Sequence, residues 1–67
     1  MIVLNGEASD MQAGATVLAA LARLGLDAHA RGVAVAVDGE VVPRAAWGTL
    51  ALEQDARVEV LSAMQGG

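Results

Sequence analysis

The chain has 67 residues, the size of one small domain, and 55% of them are hydrophobic. Its net charge of −4 argues against nucleic acid as a partner, because phosphate groups would repel an acidic surface. It contains no cysteine and one histidine, which excludes a disulfide or thiolate site, and we expect neither a metal site nor a catalytic residue pair. No apolar run reaches the roughly 18–20 residues of a membrane helix and no signal peptide opens the chain, so we expect a cytoplasmic protein without a membrane partner.

The N-terminal stretch MIVLNGEASDM has the pattern of a β-hairpin. An apolar run is followed by Asn5-Gly6, a dipeptide that favours a type I′ turn because both central positions of that turn have positive φ. We therefore predict a first strand over about residues 1–5 and a second strand over about residues 7–12.

The stretch GATVLAALARLGL changes to helical periodicity, and alanines, which are good helix formers, fill the turns. The apolar residues at helical spacing are Val17, Leu18, Leu21 and Leu24. Thr16 is placed to cap the first turn with its hydroxyl, and Gly25 is placed to take the left-handed conformation that follows a helix end. This type of helix end brings Leu26 against Leu21. We predict that this segment is the main helix of the chain.

Two-residue periodicity returns in VAVAVDGEVVPR and predicts a second hairpin. Asp38-Gly39 forms its tight turn, and Val41-Val42 form a short returning strand. Pro43 ends that strand because it has no amide to donate, and its fixed φ suits the start of a helical turn over PRAAWG. The valines expected to share one face of the outgoing strand are Val33, Val35 and Val37.

The stretch ARVEVLSAM is a final strand in which Val58 and Val60 alternate with exposed positions. The resulting order places one amphipathic helix on one face of a mixed sheet of four to five strands. We therefore predict an α+β protein with the β-grasp, or ubiquitin-like, arrangement. Residues 1–63 form the domain and residues 64–67 form a flexible C-terminal tail.

The pair Gly66-Gly67 follows this last strand and has two interpretations. A terminal glycine pair is often a frayed end or a cloning remnant, and alone it is weak evidence of function. At the end of a β-grasp domain, two residues without side chains let the backbone enter a narrow channel. There the carboxylate can meet an ATP phosphate for activation, and the element order favours this second interpretation.

The middle of the chain contains Val42-Pro43-Arg44 followed three residues later by Trp47. With the stretches MIVLNGE, AVAVDGEVVPRAAW and VEVLSAMQGG, this pattern makes the chain resemble, over essentially its full length, the ThiS family of ubiquitin-like sulfur carriers. One departure is the turn Glu53-Gln54-Asp55-Ala56, where such carriers usually hold glycine. Asp55 tolerates left-handed geometry, so the turn is expected to form.

This resemblance implies a carrier and co-substrate of thiamine biosynthesis rather than an enzyme, with no bound cofactor or metal. It implies that an ATP-using activating enzyme of the ThiF type adenylates the carboxylate of Gly67, while Gly66 and Gln65 thread the active site of that partner. It also implies that a cysteine desulfurase supplies the sulfur of a thiocarboxylate, which a thiazole synthase of the ThiG type receives.

Three more residues are candidates for a partner interface: Met64, Leu61 and Arg44. Leu61 is expected on the sheet face that the helix leaves uncovered, with partial burial against the first strand as the alternative. Met64 precedes the tail with a flexible thioether, and Arg44 is either a docking residue or a solvated charge. Trp47 is interpreted as a core anchor whose ring nitrogen finds a partner, and His29 as an exposed loop residue.

Other functions share this fold and tail. A carrier for molybdopterin synthesis or tRNA thiolation differs in its sulfur acceptor, and a ubiquitin-like modifier passes its activated carboxyl group to a lysine. A β-grasp interaction module whose glycines have no function is a further alternative. The Val-Pro-Arg and tryptophan pattern and the short length favour the thiamine branch.

Overall fold

The computed structural model describes residues 1–62. Within this range the strands are β1 Val3–Leu4, β2 Glu7–Ala8, β3 Val33–Val37, β4 Glu40–Val41 and β5 Arg57–Ser62. The helix α1 is Val17–Arg23, and a 3₁₀ turn covers Arg44–Ala46. Neither described helical segment has the length and apolar character needed to cross a bilayer.

The five strands form one mixed sheet in the order β2-β1-β5-β3-β4. β1 and β5 run parallel with Val3 opposite Arg57, whereas the other neighbouring strands are antiparallel. β5 is therefore the central strand of the sheet, although it comes last in the described chain. One helix packed on a mixed five-stranded sheet confirms the predicted α+β, β-grasp arrangement.

The first hairpin has the predicted turn, because Asn5 and Gly6 have φ of 52° and 82°, but its strands are shorter than predicted. Ser9 diverts the chain after β2. Its hydroxyl donates to the carbonyl oxygen of Ile2 (2.8 Å) and accepts from the amide of Met11 (3.3 Å). This local turn ends the strand at Ala8 instead of near residue 12, and Met11 is buried in the core.

Both ends of α1 have the predicted caps. The Thr16 hydroxyl accepts from the amide of Ala19 (3.3 Å). At the other end, the amide of Leu26 donates to the carbonyl oxygen of Leu21 (2.9 Å), and Gly25 has a φ of 78°. These features form a Schellman motif that stops the helix at Arg23. Leu24 therefore lies outside the helix and is exposed, while Ala20 takes a place in the buried stripe.

The core lies between α1 and one face of the sheet, and burial alternates along β5 as the two-residue period predicts. Its largest fully buried side chains are Ile2, Val17, Leu21, Val35, Leu52 and Val58. Trp47 is 2% exposed, and its ring nitrogen donates to the carbonyl oxygen of Val42 (3.1 Å). The predicted role of Trp47 as a core anchor is thus confirmed.

Candidate functional site

β5 leads from the middle of the sheet toward the segment that carries the predicted reactive group. Its last residue, Ser62, lies opposite Val33 at the start of β3. Ala63 comes next in the sequence, followed by the predicted tail residues Met64, Gln65, Gly66 and Gly67. All four lie outside the described residues, as does the domain boundary after residue 63, so these assignments stay predictions.

The end of β5 is held on the β1 side by an unusual hydrogen bond. The amides of Val3 and Asn5 donate to the carbonyl oxygens of Ala56 and Val58 (2.9 and 2.8 Å), as expected between two parallel strands. The amide of Val60 instead donates to the side-chain oxygen Oδ1 of Asn5 (2.8 Å). Sequence reasoning gave Asn5 only a turn role, because the position of its partner depends on strand order.

The sheet face turned away from α1, called here the open face, is mostly apolar. It carries Val3, Ala8, Ala34, Ala36, Val41, Arg57, Glu59 and Leu61. Leu61 is 69% exposed, which confirms its predicted place on the uncovered face and excludes partial burial against β1. Val41 is 76% exposed and shares this face because it lies opposite Ala36. The sequence assigned Val41 to a strand, but the register was needed to assign its face.

The side chain of Arg44 is engaged within the chain. Its guanidinium donates to the carbonyl oxygens of Ala28 and Ala30 (2.6 Å each) and lies 4.4 Å from the ring centre of Trp47. These contacts connect the loop after α1 to the 3₁₀ turn, so Arg44 has a structural role. A docking role for Arg44 stays a prediction. His29 lies in the same loop and is exposed, as predicted.

The charged groups of residues 1–62 form surface contacts rather than a reactive cluster. Asp55 accepts from the Met1 ammonium (2.6 Å), and Asp10 pairs with Arg23 (2.5 Å), both on exposed surface. Within this range, no three histidine or carboxylate side chains lie close enough together to hold a metal ion. The described residues thus offer an apolar sheet face and a central strand that leads to the C-terminal segment.

The model of the ThiS family matches residues 2–67 of the chain. The crystal structure of the thiamine biosynthesis protein ThiS from Geobacter metallireducens is similar to this chain with a TM-score of 0.72 and 31% sequence identity. The similarity covers 98% of this chain and 97% of that protein. No curated protein sequence gives a significant match. The family match spans nearly every residue and agrees with the fold, so the chain belongs to the ThiS family.

Proposed function

We propose that the chain is a sulfur carrier of thiamine biosynthesis that holds sulfur as a thiocarboxylate on Gly67. The observation that carries the proposal is the family match over residues 2–67, because this span includes both terminal glycines. The name of the similar protein from Geobacter metallireducens supports the thiamine branch over carriers for molybdopterin or tRNA. The chain acts as a carrier and co-substrate, and its partners carry out the catalysis.

Activation of the Gly67 carboxylate is the first step. A terminal carboxylate is ionised at neutral pH and is a poor acyl donor. An adenylating enzyme of the ThiF type therefore joins one carboxylate oxygen to the α-phosphorus of ATP, and pyrophosphate leaves. ATP is bound by this partner, and the carrier supplies only the acyl group.

Sulfur enters at the activated acyl carbon. A cysteine desulfurase passes it as the outer sulfur of an enzyme persulfide, which attacks the acyl carbon and expels AMP with the former carboxylate oxygen. A thiol then reduces the sulfur–sulfur bond of the resulting acyl disulfide and is itself oxidised to a disulfide. The product is the Gly67 thiocarboxylate. A thiazole synthase of the ThiG type then takes the sulfur in exchange for an oxygen atom, so the carrier regains its carboxylate for another round.

The position of β5 suits this chemistry. Gly67 is the fifth residue after Ser62, and five extended residues span at most about 17 Å. That reach is enough to carry the acyl carbon beyond the edge of the domain and into a partner's cleft. Gly66 and Gly67 have no side chains, so the backbone can approach the nucleotide closely, with Gln65 following them into the channel.

Reconstitution with the activating enzyme, ATP and a sulfur donor tests the proposal. Intact-mass analysis is expected to show the carrier heavier by the difference between one sulfur and one oxygen atom. A variant that lacks Gly67 is the control: it should fold as the parent does, by circular dichroism, and gain no sulfur. An unchanged mass of the parent with a competent enzyme, or thiolation of the truncated variant, would contradict the proposal.

The sulfur acceptor requires a second experiment. Thiocarboxylated carrier is mixed separately with thiazole synthase, with the large subunit of molybdopterin synthase and with a tRNA-thiolating enzyme. We expect loss of sulfur and product formation only with thiazole synthase. Turnover with one of the other acceptors alone would move the chain to that branch, and an isopeptide bond to lysine would make it a protein modifier.

A further inference from the structure

The side chain of Asn5 completes a hydrogen-bond ladder that the backbone of β1 leaves unfinished. Backbone amides at the first strand donate to the carbonyl oxygens of Ala56 and then Val58, so every second residue along the last strand is bonded to the first. Val60 is the next residue in this series, and its amide donates to Asn5 Oδ1 (2.8 Å). The backbone of Asn5 turns away from the sheet with a φ of 52°, so its side-chain oxygen acts as the acceptor in place of a backbone carbonyl oxygen.

Val60 cannot bond to β3 in place of Asn5. The amide of Asp38 donates to the carbonyl oxygen of Arg57 (2.8 Å), which makes these two residues a hydrogen-bonded pair. Such pairs alternate along an antiparallel ladder, so the even-numbered residues of β5 direct their amides toward β1. A partly buried amide without an acceptor is destabilising. Asn5 is therefore the partner that satisfies Val60 within residues 1–62.

The second hairpin has the same arrangement at the opposite end of β5. Asp38 is the first residue of its turn, also has a φ of 52°, and accepts from the amide of Arg57 through Oδ1 (3.0 Å). The two turn residues thus hold β5 at its first residue and near its last. The Asn5 bond lies next to the C-terminal segment and the Asp38 bond lies away from it, so Asp38 provides a matched control.

We propose that Asn5 is a positioning residue that fixes the end of β5 and thereby sets the direction in which the segment bearing Gly67 leaves the sheet. Val60 lies two residues before the end of β5, and the described β1 pairing stops at Leu4. Among the described hydrogen bonds on the β1 side of β5, the Asn5 bond is thus the one nearest the C-terminal segment. If the end of β5 is held in place, the C-terminal segment starts from a fixed position, and less conformational entropy is lost when Gly67 enters a partner's site. This inference rests on the proposed function.

Three substitutions separate the turn role of Asn5 from its acceptor role. Asn5→Gly keeps the left-handed backbone, because glycine adopts positive φ freely, but it removes the acceptor. Asn5→Asp keeps both features, since aspartate tolerates this region and its carboxylate accepts hydrogen bonds. Asp38→Gly removes one turn side chain and one β5 hydrogen bond, as Asn5→Gly does, but at the distant end of the strand.

Hydrogen exchange tests the contact without any partner. In Asn5→Gly the amide of Val60 should exchange roughly 3- to 10-fold faster than in the parent, while the amide of Leu61, which faces β3, keeps its rate. Asn5→Asp should retain protection at Val60. Unchanged protection of Val60 in Asn5→Gly would overturn the assignment of Asn5 as its acceptor.

The positioning role is tested by steady-state kinetics of adenylation by the activating enzyme, with the rate measured as release of pyrophosphate. Asn5→Gly should raise the KM for the carrier about 3- to 10-fold with kcat little changed. Asn5→Asp and Asp38→Gly should stay within about twofold of the parent KM. Equal KM values for Asn5→Gly and Asp38→Gly would overturn the positioning role, as would a raised KM in Asn5→Asp.

The two proposals fail in distinguishable ways. If the parent protein is never adenylated by a competent enzyme, the proposed function fails, while hydrogen exchange still shows whether Asn5 holds Val60. If the parent is adenylated and Asn5→Gly has the parent KM, the proposed function stands and the positioning role is wrong. Circular dichroism at the assay temperature confirms that each variant is folded in the comparison.

Discussion

Replacing Arg44 with alanine tests whether this side chain stabilises the fold. The guanidinium connects the carbonyl oxygens of Ala28 and Ala30 to the ring of Trp47. Both hydrogen bonds are exposed, so we assign each the lower end of the usual range, about 0.5 kcal/mol. A cation–π contact at an exposed site adds about 0.5–1 kcal/mol. Arg44→Ala should therefore lower the free energy of unfolding by about 1.5–2 kcal/mol.

A loss of this size is large for so small a domain. At about 0.05–0.15 kcal/mol per residue, a chain of this length has a total stability of about 3–10 kcal/mol. Urea unfolding followed by fluorescence measures the loss directly, because Trp47 is the only aromatic residue of the chain and lies at the site itself. Arg44→Lys is the matched variant. It keeps the charge but not the planar fork that reaches two carbonyl oxygens, so less than half of the loss should be recovered.

The outcome also separates the structural role of Arg44 from its predicted docking role. An unfolding midpoint of Arg44→Ala equal to that of the parent would refute the stabilisation argument. If Arg44→Lys is as stable as the parent but binds the activating enzyme more weakly, Arg44 acts at the interface instead. Loss of stability in Arg44→Ala with unchanged affinity of the folded fraction would assign the residue to the fold alone.

Three further predictions test the core, the helix end and the open face. Leu21→Ala should cost about 2–5 kcal/mol in urea unfolding because this leucine is fully buried, and a loss below about 1 kcal/mol would contradict its place in the core. Gly25→Ala should cost about 1–2 kcal/mol through its φ of 78° alone, since the space around it is open, and an unchanged midpoint would refute the Schellman ending. Leu61→Ser should change stability by less than about 0.5 kcal/mol while weakening binding to the activating enzyme, and parent-like affinity would remove Leu61 from the interface.

Local patterns predicted those parts of the fold whose cause lies within a few residues. The hairpin turns at Asn5-Gly6 and Asp38-Gly39 follow from the need for positive φ, and both pairs have it. Thr16 caps the start of the helix with its hydroxyl, and Gly25 ends the helix because a residue without a side chain adopts positive φ freely. Asp55 adopts a φ of 65°, the left-handed geometry expected for the turn before the last strand. Each of these features requires only short-range chemistry.

The remaining features depend on contacts between distant parts of the chain. The hydrogen bond from Val60 to Asn5 joins residues 55 positions apart and exists because β1 and β5 are parallel neighbours. The two carbonyl oxygens bound by Arg44 belong to a loop that precedes it by 14 and 16 residues. Val41 is a β-branched residue like many others in strands, and only its register with Ala36 shows that it lies on the open face of the sheet. No short-range pattern contains this information.

The fate of the Gly67 carboxylate tests the central claim most directly. The carrier is incubated with its activating enzyme, ATP, desulfurase, a thiol reductant and cysteine labelled with a heavy sulfur isotope, and is then cleaved after Arg57. Tandem mass spectrometry of the C-terminal peptide should place the label at the carboxyl group of Gly67. Label at any other position, or a C-terminal peptide without label while the enzymes are active, would contradict the account.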